Sequence, residues 1–264
     1  MNQNHNKEPK KRFPRKERKK QRIIDLLKRI SAKVAGIHPK KVMEVAIADS
    51  YILGMYWRSI SLFEAIITLL EKDLAEEALI LARSLFEESL RLAQLAEAGK
   101  ERTAFVLRWV NDSIKYKKGL IDRAIKIGLE QNPEQVIKRL EEEQKKVQGY
   151  ARRHGVGRFK KLLSEGDAAF EFNRKDDYWS FILGHQMVHG SDATYLYRRH
   201  KLAKNKIGIF SRTIDVNIIG GIAFFAARSV LQATQSTVRI FNWGDTSDLE
   251  KLWDEVNNFA VTRE

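Results

Sequence analysis

His185 and His189 stand four residues apart in the segment YWSFILGHQMVHGSD, residues 178–192. On a helix that spacing turns both imidazoles to one face. It is also the spacing of the zinc-protease pattern H-E-x-x-H, whose glutamate is the general base. Here Gln186 occupies the glutamate's place. An amide cannot take a proton from water, so the protease mechanism lacks its essential part. Asp192 would add a third ligand to a structural metal site, but no further ligand pattern accompanies it. The expectation is no metal, with one imidazole hydrogen-bonded in the interior and the other near the helix end.

A second constellation is RSLFEE, residues 83–88, in which Arg83 and Glu87 form an i,i+4 pair on an otherwise apolar helix. On an exposed face such a pair is ornamental. Inside a bundle both charges demand partners, and they mark either a core polar network or a site. Both readings stay open from the sequence.

The third is a run of cations. The net charge is +14, and residues 1–22 hold Lys7, Lys10, Lys11, Arg12, Arg15, Lys16, Arg18, Lys19, Lys20 and Arg22 against Glu8 and Glu17. Phosphate neutralisation needs density of charge more than geometry, so such an arm binds nucleic acid without a fold of its own. The same attraction would hold it to an anionic membrane, and a solubilising tail is the plainer alternative. Phe13 is its one aromatic residue, so base stacking has little support there. Further basic zones, Arg152 to Lys161 and Arg198 to Arg212, would extend the footprint if they fold onto the same face.

Other chemistry is missing. With no cysteine, disulfides, thiolate nucleophiles and Cys-based zinc sites are excluded. No phosphate-binding glycine loop, dinucleotide fingerprint or nucleophile elbow is present, so no cofactor is expected. The first 22 residues are basic and polar, which suits neither a secretory signal nor a membrane span and leads to an expectation of a cytoplasmic protein. The most apolar stretch, Val45 to Leu70, is interrupted by Asp49, Arg58 and Glu64 and reads as a core helix rather than a transmembrane segment.

These residues must be positioned by helices. Four prolines and fifteen glycines in 264 residues leave room for long elements, and Leu, Ala, Glu, Lys and Arg dominate. Helices are expected from about Arg18 to Gly36, Lys40 to Glu71, Leu74 to Ala98, Glu101 to Leu129, Glu134 to Arg152, Tyr178 to Val188 and Val216 to Phe241, with the charged fifth one on the outside. Gly54 is expected to allow close approach of a neighbour. A short helix is expected around Phe159 to Leu163, Asp176 or Asp177 as a cap for the next, and a capping box at Ser247 to Glu250 for the last. Ile207 to Phe210 is the one tempting strand. The fold expected is an all-α multi-helix bundle: residues 18–264 as one domain, behind a basic arm, 1–17, expected to be disordered.

Arg83-Ser-Leu-Phe-Glu87 on one long helix, followed by a Tyr- and Ser-containing helix that ends in Val188-His-Gly-Ser191, resembles a bacterial group of helical proteins known as domain of unknown function 5677. The likeness would cover roughly Lys40 to Phe241. It implies a site composed of Arg83, Glu87 and His189, with Ser180 as a less certain member. It also invites comparison with HEPN ribonucleases of toxin and phage-defence systems, which set an Arg and a His four to six residues apart on one helix face. No histidine here has an arginine at the required upstream offset. Two functions therefore stand side by side. One is nucleic-acid association, RNA ahead of DNA, through Lys10, Lys11, Arg12, Arg15, Lys16, Arg18, Lys19, Lys20 and Arg22, in a phage-defence or toxin-like system. The other is a metal-independent ribonuclease using His189 and Arg83, with Glu87 orienting one of them. A membrane-surface or protein adaptor is a third, and a homodimer is compatible with all of them.

Overall fold

The computed structural model describes residues 14–37, 46–128, 133–188, 201–202, 206–207 and 216–261. Among them the chain forms nine α-helices: α1 (Arg15–Ala35), α2 (Ile47–Glu71), α3 (Ala75–Glu97), α4 (Arg102–Lys126), α5 (Pro133–Arg153), α6 (Glu165–Glu171), α7 (Lys175–Val188), α8 (Val216–Phe241) and α9 (Ser247–Val261). A 3-10 turn, Gly99–Glu101, leads into α4. Lys201–Leu202 (β1) and Lys206–Ile207 (β2) pair as a minimal antiparallel ladder. The protein is an all-α bundle.

Helix α3 is the centre: α2, α7 and α8 pack against it, α1 packs on α2 and α8, and α9 lies on α8. The apolar side chains form two clusters. In the first, the stripe Ile23, Ile24, Leu26, Leu27, Ile30 and Val34 of α1 meets Phe63, Phe86 and Phe225 from α2, α3 and α8. Each of these phenylalanines is essentially inaccessible to solvent, a burial that stabilises by about 1.5–3 kcal/mol per side chain. In the second, Ala48, Ile52 and Met55 from the start of α2 join Leu92 and Leu95 from the end of α3 and the inner faces of α4 and α5. Helix α5 buries only Leu140, Val147, Tyr150 and Ala151, so it is an outer helix, as its charge implies. By length and composition alone α2 and α8 are each long and apolar enough to cross a membrane; in the bundle both pack on α3.

Helix α1 begins at Arg15, three residues before the expected start. Pro14, which reads as a breaker, acts as a starter: its φ of −53° is already helical and its carbonyl accepts from the Arg18 N–H at 3.1 Å. The end of α2 uses Asp73 in the left-handed region, φ 59°. There the Leu74 N–H bonds to the Leu69 carbonyl and the Asp73 N–H to that of Leu70, the paired bonds with which a helix commonly stops at glycine. Asn173 and Asn242 serve α6 and α8 in the same way, φ 53° and 52°.

Three local expectations are corrected. Residues 159–163 form no helix; the short helix is α6, and Ser164 caps it by accepting from the Asp167 N–H at 3.2 Å. Asp177 lies within the first turn of α7, where its carboxylate binds arginines instead of capping the helix. The predicted box at Ser247 does not form, because the Ser247 hydroxyl turns back to Asp245 at 2.6 Å. The expected disorder of residues 1–13 lies outside the described residues.

Candidate functional site

The helical part of the basic arm divides into two sets. Arg15, Lys16, Arg18 and Arg22 are exposed, and Arg15, Arg18 and Arg22 follow one another at helical spacing along one stripe. Lys19 and Lys20 turn instead to the bundle. Lys19 Nζ donates to Asn217 Oδ1 at 3.2 Å. Lys20 Nζ donates to the Asp73 carboxylate at 2.7 Å and to the Glu71 carbonyl at 3.1 Å, placing a cation at the negative end of α2. Lys10, Lys11 and Arg12 lie outside the described residues.

Arg83 and Glu87 do pair, Nη2 to Oε1 at 2.8 Å, with both side chains about four-fifths buried. They belong to a longer chain of alternating charge along α3. Glu87 Oε2 faces Arg91 at 3.6 Å, Arg91 faces Glu88 at 3.7 Å and Glu165 at 3.7 Å, and Glu88 faces Arg58 of α2 at 3.5 Å. At its other end Arg83 is covered by α7. Its guanidinium lies 5.2 Å from the centre of the Phe181 ring, and its Nε is buried without a hydrogen-bond partner. Gly184 makes this approach feasible: a Cβ there would stand 3.1 Å from Arg83 Cβ and 3.2 Å from the Leu79 carbonyl. Thus α7 is seated on Arg83. It ends at Val188, and His189 lies outside the described residues, as do the side chain of His185 and Asp192. Ser180 is half-buried on α7.

Glu88 is the most confined acid of this chain, its side chain only 4 % exposed. Burial pushes its carboxyl above the usual carboxylate range, Arg91 and Arg58 pull it back, and Glu87 adds to the rise. Oε2 is buried and has no hydrogen-bond partner. Glu88 lines a surface cavity of about 420 Å³ together with Ser50, Tyr51, Gly54, Met55 and Arg58 of α2 and Trp109 of α4. The α2 residues are spaced three and four apart, so one face of that helix forms a wall. The Tyr51 and Trp109 rings meet edge to face at 5.9 Å.

A different charged cluster underpins the first core. Arg174, 2 % exposed, pairs through Nε with Asp177, bonds to Gln232, and donates to Ser229 Oγ at 3.2 Å. Arg228 reaches the same Asp177 at 3.3 Å. Burial pulls the Arg174 guanidinium below its usual value while Asp177 supports it. Every nitrogen of Arg174 is directed at a protein acceptor, so this cluster fastens α7 to α8; of its buried nitrogens Arg228 Nε has no hydrogen-bond partner. Among the described residues no group of acids and histidines could hold a metal ion.

Residues 49–207 match the model of a family of unknown function, DUF5677. The chain belongs to that family. The DUF5677 segment takes in α2 to α7 and ends at β2, so it contains the whole charged chain on α3 and the Glu88 cavity, with α1, α8 and α9 outside it. It is shorter at both ends than the span of 40–241 that the motifs imply. Neither the comparison with curated proteins nor that with solved structures gives a match.

In the sequence Glu88 stands within RSLFEE and Arg58 breaks an apolar run, but neither carries a role there; Tyr51 and Arg91 give no signal, and Trp109, which helical spacing places among the core residues of α4, is 36 % exposed. A signal was present at Gly54. That glycine does not admit a neighbouring element as expected, since a Cβ there would meet nothing within 4 Å. Space beside a helical glycine is space for something else.

Proposed function

We propose that this DUF5677 protein associates with nucleic acid, RNA ahead of DNA, through the exposed cations that open α1. The observation that carries the reading is the division within α1: Lys19 and Lys20 are spent on the bundle, whereas Arg15, Lys16, Arg18 and Arg22 are exposed. Such a stripe contacts phosphates through charge alone, and its affinity falls steeply as salt displaces it. The biological setting we favour is a phage-defence or toxin-like system, with the protein in the cytoplasm. The test is to purify the full chain and a chain starting at Gln21 and to measure RNA binding by both across a salt series. Equal affinity of the two would overturn the proposal. Binding of the full chain, but not of the shorter one, to anionic vesicles and not to RNA would replace it with the membrane-surface reading.

The packing of α7 on Arg83 favours a second reading, a metal-independent ribonuclease. Phe181 and Gly184 hold the helix that leads to position 189 directly against the guanidinium. In this reading His189 moves the proton, Arg83 stabilises phosphate charge and Glu87 orients Arg83. Cleavage of RNA by His189→Ala at the parental rate removes it.

A further inference from the structure

The cavity beside Glu88 combines features that the packing of the protein does not account for. A buried carboxylate oxygen without a partner is costly and rare in a folded chain. Gly54 in the middle of α2 costs about 1 kcal/mol relative to alanine, yet its missing Cβ relieves no contact. Tyr51 and Trp109, 39 % and 36 % exposed, present large rings at the surface on two different helices around the same space. The volume, about 420 Å³, lies in the range of small-molecule sites.

Each feature constrains the occupant. The aromatic walls and the bare backbone at Gly54 suit a flat ring. Glu88 requires hydrogen-bond donors: Oε2 has none and Oε1 has only the long contacts to Arg58 at 3.5 Å and Arg91 at 3.7 Å, so two adjacent N–H groups match the carboxylate best. A purely apolar ligand would leave Glu88 Oε2 as it is, without a hydrogen-bond partner. An isolated phosphate or carboxylate would be repelled by it. A compact aliphatic cation would satisfy Glu88 but would be repelled by Arg58, 3.5 Å away. A ring with paired donors on one edge and an anionic group at the other end satisfies all of them. That describes a guanine nucleotide: the N1–H and N2–H edge to Glu88, the ring against Trp109 and Tyr51, the phosphate to Arg58. Arg58 is the movable member, since it is 62 % exposed and held to Glu88 only across that long contact.

We propose that the cavity between α2, α3 and α4 is a binding site for an unpaired guanine base, read by Glu88 and stacked on Trp109. It rests on the nucleic-acid reading only insofar as the base belongs to a polymer; a mononucleotide tests the site by itself. Recognition of splayed bases on aromatic side chains with hydrogen bonds to the pairing edge is the usual way single-stranded RNA is read.

The experiment is calorimetric titration of the full chain with guanosine 5′-monophosphate and, separately, with the adenosine, cytidine and uridine monophosphates. The guanine nucleotide is expected to bind about tenfold or more tightly than the other three, and Glu88→Gln to lose that preference. Gly54→Leu fills the cavity from a helix position where the first added carbon meets nothing, so it is expected to fold as the parent does and to bind none of the four. Equal affinities for the four nucleotides, no binding of the guanine nucleotide at millimolar concentration, or unchanged binding by folded Gly54→Leu would each overturn the proposal. The two readings separate cleanly. Salt-sensitive RNA binding without guanine-nucleotide binding removes the cavity site and keeps the α1 interface. The reverse keeps the cavity and removes the interface.

Discussion

Arg58 on α2 and Glu88 on α3 face each other across 3.5 Å, the guanidinium 62 % exposed and the carboxylate 4 % exposed. The pair is asymmetric: the cation retains its water while the anion has surrendered it. The attraction at that distance does not repay the desolvation, which is why the Glu88 carboxyl sits above its ordinary range.

The sign of this shift fixes a stability prediction. A carboxyl whose folded-state pKa is raised binds more protons in the native than in the unfolded chain just above its ordinary value, so its contribution declines as pH rises through that window. Glu88→Gln removes the unfavourable charge and keeps the shape. At neutral pH it is expected to leave stability within about 1 kcal/mol of the parent, or to raise it, and to flatten the pH dependence between the ordinary carboxylate range and neutrality. Urea unfolding at several pH values checks this, and a clear loss of stability at neutral pH contradicts it.

Neighbouring lysines and arginines of α1 are expected to behave oppositely. Replacing Arg15, Lys16, Arg18 and Arg22 together with alanine should reduce the slope of log affinity for single-stranded RNA against log salt by about 3, with little change in melting temperature. Lys20→Ala removes the cation from the end of α2 and the bond to Asp73, so it should lower the melting temperature and barely alter the slope. Filter binding and calorimetry separate the two sets.

Arg174 is a fastening rather than a site. Arg174→Ala is expected to cost about 3–5 kcal/mol, because Ser229 and Gln232 lose a buried partner and Asp177 keeps only Arg228. Arg174→Lys should be nearly as damaging, since one ammonium cannot reproduce the fork. Chemical denaturation measures both.

Tyr56 gives the alkaline limb. Its hydroxyl is shared between the carbonyls of Val34, at 3.0 Å, and Ile37, at 3.1 Å, where α1 ends. Burial pushes the phenol up to about 12. The native state therefore holds the proton over a range where the unfolded chain releases it, and stability present below pH 10 is lost as pH climbs towards 12. Tyr56→Phe should cost about 1 kcal/mol at neutral pH and weaken that alkaline decline, as followed by circular dichroism against pH.

The bundle was readable from the sequence wherever one helix face meets one core. The α1 stripe and the apolar runs of α2, α3 and α8 have that property, and their periodicity located them within a few residues, except that α2 starts at Ile47 rather than near Lys40. The ends of α2 and α8 fall where the sequence places them, at Glu71 and Phe241, although Asp73 and Asn242 rather than glycine stop those helices. At Pro14 a residue known for breaking helices begins one. The site was half legible. Arg83 and Glu87 stand out because charges on an apolar helix need partners, and the spacing shows that they can reach each other. Glu88, Arg58 and Trp109 lie on three helices, and nothing local to α2, α3 or α4 says that those three faces converge.

The walls around Glu88 differ in stiffness. Helices α2 and α3 contribute to both apolar clusters, so either cluster alone would hold them in place. Helix α4, which brings Trp109, is buried only in the second cluster, beside the outer helix α5. Two sides of the cavity are therefore rigid and one is compliant. Discrimination belongs to the rigid floor, where a misplaced donor finds no give, and tolerance of ring size belongs to the yielding side, where Trp109 can close on whatever the floor has accepted.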